Sequence, residues 1–283
     1  MNDNKPHARL SVLVAAYNEE KTIGRILDQL LCLDLHEIVV VDDGSKDQTA
    51  EVVSEFSGRD SRVRLILQDR NRGKTAAIAR AVVAATGDIL MIQDADLEYD
   101  PSEIPAVIAP IVQGQADVVY GSRFMVRRAA RVLYFYHYVA NRFLTFLSNL
   151  LTNRNMTDIE TCYKAFRAGV IKPLRLTSDG FGMEVEITAM VCKTKARTYE
   201  VPISYYGRTY EEGKKIGLMD GLKALYYIGY YNLVSPRLPT GRAYIREANR
   251  FLESGDQAES NQGRGVVAPH ARRFKGVRIG TGR

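Results

Sequence analysis

From Leu10 to about Tyr120 two hydrophobic periodicities alternate, and this alternation restricts the possible folds of the chain more than any single motif. The segments SVLVAAY, EIVVVDD, RVRLILQ, DILMIQD and ADVVYG are short, rich in Val and Ile, and closed by polar or turn residues, as strands buried on both faces are. Helical patterns lie between them. Ile23, Ile26, Leu27, Leu30 and Leu31 recur at helical spacing, and the Ala-rich KTAAIARAVVAATG stops at Gly87. Strand, helix, strand, repeated, predicts an α/β fold: a doubly wound, mainly parallel sheet flanked by helices. Further on, CYKAFRA and TYEVPISYY read as strands and EVEITAMVCK as a helix. GRTYEEGKKIG is a charged loop, and a helix follows around DGLKALYYIGYY.

Ligands of such sheets bind in the crevice at the carboxyl ends of the strands, and the polar residues gather there. Tyr17, Asn18, Glu19 and Glu20 follow the first strand, Asp42 and Asp43 close the second, and Asp94, Asp96, Glu98 and Asp100 crowd the end of the fourth. Where a strand passes into a loop, Asp94 and Asp96 are able to turn their oxygens the same way. Two adjacent carboxylates resist ionising together unless a cation lies between them. Hard oxygen donors suit Mg2+ or Mn2+, which keep coordination places for substrate phosphates. Asp100, just before Pro101, suits a helix start instead.

Other functions are excluded in turn. RNRGKT places Gly-Lys-Thr at a helix start, as a nucleoside triphosphatase loop does, but Gln68 stands where that loop needs its first glycine. Lys74 is left as a counter-charge lining the cleft. AAYNEE after the first strand lacks the glycine turn of a dehydrogenase. The formal charge of +6 admits nucleic acid, an anionic membrane or a phosphorylated substrate. No aromatic and basic interleaving of a nucleic-acid module appears, and an acidic cleft repels a phosphate backbone, so no nucleic-acid partner is expected. Cys32, Cys162 and Cys192 are few and scattered, which fits a reduced cytosolic protein. The N-terminus shows no signal-peptide core.

The stretch 131–152 is interrupted by His137, Asn141, Arg142, Ser148 and Asn149, so it is not a membrane span. As a helix it puts Val132, Phe135, Val139, Phe143, Phe146, Leu147 and Leu150 on one side, and Tyr138, Asn141, Arg142, Thr145 and Asn149 on the other. It follows a cluster of arginines. Two readings remain open: a helix packed on the sheet, or one lying on a membrane surface.

AYNEEKTI, VVVDDGSKDQT, NRGKTAAI, DADLEYDP and GSRF, in this order, resemble the family 2 glycosyltransferases, which have the GT-A fold. TDIETCYKAFRA and VPISYYGRTYEEGKK resemble the polyprenyl-phosphate branch, similar to dolichol-phosphate mannose synthase and bacterial polyprenyl-phosphate glucosyltransferases. The resemblance covers about residues 9–235. It implies metal-dependent, inverting transfer of a hexose from a nucleotide-diphosphate sugar, of UDP-glucose or GDP-mannose type, to a polyprenyl or dolichyl monophosphate. The alternative within the family is a soluble or polysaccharide acceptor. Processive polysaccharide synthases, however, carry a Gln-x-x-Arg-Trp motif, and this chain has no Trp.

By this resemblance Tyr17, Glu19 and an Asp of the Asp42-Asp43 pair contact the donor's base and ribose, with Lys74, Ala95, Arg208 and Lys214 also lining the nucleotide-sugar site. Asp94, Asp96 and Glu98 hold Mg2+ or Mn2+ and the diphosphate. Asp94, Asp96 and Arg123 are the catalytic set. Arg123, His137 and Asn141 meet the acceptor phosphate. Glu98 stands where the mannose synthases commonly have Gln, and Ala15 where the family usually has proline. The expected division is an N-terminal extension over 1–8, a GT-A domain over 9–235 with a membrane-facing helix at 131–152, and a C-terminal extension over 236–283 without order beyond about 251. A lipid acceptor implies peripheral attachment at the cytoplasmic face of a membrane.

Overall fold

The computed structural model describes residues 8–125, 131, 134–180, 182–207, 211 and 218–263, with only the backbone of 218, 220 and 256–263. Seven strands form one sheet: β1 (Leu10–Ala16), β2 (Glu37–Asp42), β3 (Val63–Leu67), β4 (Ile89–Asp94), β5 (Val118–Ser122), β6 (Lys164–Arg167) and β7 (Thr198–Pro202). Their order is β3-β2-β1-β4-β6-β5-β7. β1 pairs in parallel with β2 and β4, β2 with β3, and β5 with β7. β6 runs antiparallel between β4 and β5. Val12, Leu13, Val14, Val39, Val40, Leu90 and Met91 are all buried, because helices cover both faces and leave no polar side for alternation to mark.

The helices are α1 (Ile23–Leu31), α2 (Thr49–Arg59), α3 (Lys74–Ala84), α4 (Ile104–Val112), α5 (Phe135–Thr152), α6 (Ala168–Ile171), α7 (Gly182–Val191), α8 (Leu218–Gly229) and α9 (Pro239–Gly263). The apolar stripe of α1 is buried through Ile23, Ile26, Leu27 and Leu30, each worth about 1.5–3 kcal/mol of transfer free energy. Every residue of α7 is buried. Asp100 does start a helix: its carboxylate accepts the Ser102 N–H ahead of a short 3-10 turn with Pro101 at its first position.

Toward the C-terminus α9 runs from Pro239 to Gly263. Tyr244, Ala248 and Leu252 are buried at helical spacing, and the Phe251 ring lies under the Arg167 guanidinium. This stripe is narrow and flanked by charge, so the segment's polarity hides it. Residues 264–283 lie outside the described residues, as do 1–7.

Candidate active site

The loops after β1 and β2 are laced together. Asn18, at φ 55°, donates its backbone N–H to Ser45 Oγ and accepts the Lys46 N–H on its side chain. The Glu19 N–H reaches Thr49 Oγ1, and the Glu19 carboxylate accepts the Thr22 hydroxyl at 2.6 Å. Gly44, at φ 70°, lets this loop touch the next one: a Cβ there would lie 2.6 Å from the Arg70 carbonyl carbon. Tyr17 remains on the open side, 39% exposed.

The two adjacent aspartates divide. Asp43 accepts from Gln68 Nε2, the Arg72 N–H and the Gly73 N–H, so both its oxygens are spent holding the turn that precedes Lys74. Asp42 accepts the Ser45 N–H on one oxygen, while its other oxygen is buried with no hydrogen-bond partner among the described residues. Of the pair, Asp42 has the unsatisfied acceptor.

Because β6 is antiparallel, its beginning lies at the carboxyl ends of β4 and β5, and the segment 157–162 enters the cleft. The Cys162 thiol donates to Asp94 Oδ1 at 2.8 Å. Lys74 Nζ sits 2.8 Å from the same oxygen and 3.4 Å from Glu184 Oε1. Burial opposes the charge on Asp94, but the Lys74 ammonium and the Cys162 thiol outweigh it and hold the carboxyl below its ordinary range. Burial likewise opposes the Lys74 charge. Asp94, Cys162 and Glu184 overcome that and keep it protonated. Ala95 is buried beside them.

Asp96 Oδ1 accepts the Glu98 N–H, and the Glu98 carboxylate accepts the Tyr205 hydroxyl at 2.7 Å. Among the described residues no group of three or more His, Cys, Asp or Glu is arranged to hold a metal ion, so Asp94, Asp96 and Glu98 are not a preassembled triad. The donor chemistry nevertheless fits Mg2+ or Mn2+ of the kind bound through one or two carboxylates and completed by substrate phosphates.

Arg123 follows β5 and is clamped by Asp158: Nε to Oδ2 at 2.7 Å and Nη2 to Oδ1 at 2.8 Å. Its guanidinium also lies 5.1 Å from the centre of the Tyr205 ring. Burial alone would weaken its charge, and Asp158 more than offsets this. Helix α5 meets this corner with its polar side. Tyr138 packs edge-on against Phe124, Arg142 donates to the Thr157 carbonyl, and Asn149 pairs with Met156. His137 and Asn141 are half-buried near the start of the same helix. The inward side of α5 is mixed: Leu144, Thr145 and Ser148 are buried and Leu147 packs against the core, whereas Phe143, Phe146 and Leu150 are 51%, 61% and 68% exposed. Val132, Arg208 and Lys214 lie outside the described residues.

The sequence reading did not assign roles to Asp158, Glu160, Cys162 or Glu184. Asp158 and Cys162 lie in TDIETCYKAFRA, whose end reads as a strand, but nothing local signals that this strand is antiparallel and carries them to the ends of β4 and β5.

The model of glycosyl transferase family 2 matches residues 11–175, more than half of the chain. The chain belongs to this family. The undecaprenyl-phosphate 4-deoxy-4-formamido-L-arabinose transferase of Edwardsiella ictaluri is 31% identical over 80% of this chain and 68% of its own length. The dolichol-phosphate mannosyltransferase of Pyrococcus furiosus is 30% identical over 74% of this chain and 60% of its own length. The chain thus spans about two thirds of these relatives. Among solved structures, glucosyl-3-phosphoglycerate synthase from Mycobacterium tuberculosis, in complex with Mn2+, uridine diphosphate and phosphoglyceric acid, superposes with a TM-score of 0.62 at 19% identity. It covers 81% of this chain and 80% of that one. That likeness concerns the fold alone, and it agrees with the GT-A fold that the resemblance implies.

Proposed function

We propose that this family 2 protein transfers a hexose from a nucleotide-diphosphate sugar to a polyprenyl or dolichyl monophosphate, with Mg2+ or Mn2+, at a membrane surface. One observation carries the lipid acceptor: α5 turns its polar side to the Arg123 corner and its aromatic side outward. A soluble acceptor leaves that apolar side without a purpose. Two relatives named for undecaprenyl-phosphate and dolichol-phosphate transfer support the same reading.

The donor's base and ribose lie along Tyr17, Glu19 and Asp42, whose buried free oxygen suits a hydroxyl donor. Asp43 acts indirectly, by fixing the turn ahead of Lys74. Asp94 and Asp96 hold the divalent ion, with Glu98 beside them on Tyr205. When bound, the ion supplies charge stabilisation to the departing nucleoside diphosphate. The acceptor phosphate is already an anionic nucleophile at neutral pH, so the protein's task is orientation. Arg123, steadied by Asp158, faces that phosphate together with His137 and Asn141, while Arg208 and Lys214 serve the two phosphates from the 207–216 loop. One in-line displacement inverts the anomeric carbon, giving a β-linked product from an α-linked donor.

No helix among the described residues is long and apolar enough to cross a membrane. Attachment is therefore assigned to the outward face of α5, extended by exposed Leu222, Leu225 and Tyr226 of the neighbouring α8, at the cytoplasmic leaflet. The test is incubation of the protein with labelled nucleotide sugars and polyprenyl phosphate in detergent. Nucleoside diphosphate release should require both the lipid phosphate and the divalent ion; release that is indifferent to either refutes the reading.

A further inference from the structure

Two carboxylates of α7 stand two residues apart and are treated differently. Glu186 is fully used: it accepts from the Thr177 N–H, the Thr177 hydroxyl and the Ser178 N–H, and so ties down the loop before the helix. Glu184 is as deeply buried, yet among the described residues its Oε1 meets only Lys74, at 3.4 Å, and its Oε2 has no hydrogen-bond partner. A buried carboxylate left so poorly satisfied is costly unless another state of the site uses it. Lys74 itself leans the other way, 2.8 Å from Asp94. One ammonium is thus shared, unequally, between a residue of the proposed ion site and a buried carboxylate behind it.

We infer that Glu184 is a positioning residue: it provides the seat to which the Lys74 ammonium withdraws from Asp94 when a divalent ion and the donor diphosphate enter the cleft. This rests on the proposed role of Asp94. The Lys74 ammonium lies against Asp94 Oδ1, where it competes with a divalent ion for that carboxylate. Moving it toward Glu184 takes the ammonium off Asp94 Oδ1, which keeps only the Cys162 thiol, brings a donor closer to Glu184, and keeps a positive charge beside the diphosphate. An ordinary structural ion pair would make Lys74 and Glu184 matter for stability alone.

The test is Mn2+ binding, followed by the free-ion electron paramagnetic resonance signal at pH 8, for the full chain and for K74M, E184Q and the double variant, with melting curves to confirm folding. K74M should bind Mn2+ alone more tightly, by about fivefold or more, because its competitor is gone, yet bind UDP less well in the presence of Mn2+. E184Q should bind Mn2+ alone several-fold more weakly, since Lys74 then has only Asp94. The double variant should match K74M, as coupled residues do. Unchanged Mn2+ affinity in E184Q, or additive effects in the double variant, overturns the inference. D94N separates the two levels: if it leaves Mn2+ affinity unchanged, the ion-site assignment itself has failed, and if it weakens binding while E184Q does not, only the seat for Lys74 has failed. Should E184Q not fold, K74M still decides, because loss rather than gain of Mn2+ affinity contradicts competition.

Discussion

Asp42 and Asp43 are adjacent in sequence and opposite in duty, and their difference is measurable. Asp43 accepts three hydrogen bonds from the chain just ahead of Lys74, so Asp43→Ala strands buried donors and should cost about 1–3 kcal/mol in unfolding free energy. Asp42→Asn keeps the shape and should change stability by no more than about 0.5 kcal/mol while weakening nucleotide binding, as read by calorimetry with UDP and GDP. If Asp42→Asn is the destabilising change and Asp43→Ala is silent, the assignment is reversed. Asp96 is the more direct chemical probe: Asp96→Ala should lower kcat by about 10²–10³ without loss of fold, because it removes charge stabilisation of the leaving group. Glu160 offers a pH test. Burial, followed by the neighbouring Glu184, drives its carboxyl up to about 8 against Lys164 and Arg123, with Asp158 adding to the rise. The folded protein therefore holds a proton that the unfolded chain releases nearer 4.5, and stability declines as pH rises between those values. Glu160→Gln should remove this decline and stabilise the ion-free protein at pH 8 by at least about 1 kcal/mol, measured by denaturant unfolding across pH.

At the scale of elements, α5 is the test case. Its wheel gives a polar and an apolar side but not which one faces the protein, because either can be buried by a suitable neighbour. The structure turns Leu144, Thr145 and Ser148 inward, bonds Arg142 and Asn149 to the 156–157 segment, and leaves Phe135, Phe143 and Phe146 exposed. Phe135, Phe143 and Phe146 changed together to Ser should thus leave stability within about 0.5 kcal/mol of the parent, yet reduce binding to anionic liposomes by at least about tenfold. Loss of stability with liposome binding intact would mean that this side packs on protein. The strands were legible for a simple reason: residues such as Val39, Val40, Leu90 and Met91 need burial on both faces, and only a covered sheet provides it. The antiparallel entry of β6 was not legible, since KAFR carries no mark of direction. With β6 came the unseen part of the site, Asp158 on Arg123 and Cys162 on Asp94. α9 was missed because its buried stripe of Tyr244, Ala248 and Leu252 is thin and its other faces are charged.

Across the whole molecule, the residues proposed for the donor lie at the ends of β1, β2 and β4, and the Arg123 corner lies one antiparallel strand away, at the end of β5. α5 lies along that corner, with Phe135, Phe143, Phe146 and Leu150 exposed on its other side. A lipid phosphate lying along α5 would bring its head to Arg123 while its chain remains in the bilayer. The most direct measurement is product identity: the protein, Mn2+ and a labelled hexose donor are given polyprenyl monophosphate, the corresponding free polyprenol and a soluble sugar acceptor in one vesicle suspension. Label should appear only in a lipid-linked, β-configured sugar phosphate that releases its sugar in mild acid. Label in the soluble sugar, or in a polyprenol ether without phosphate, would contradict it.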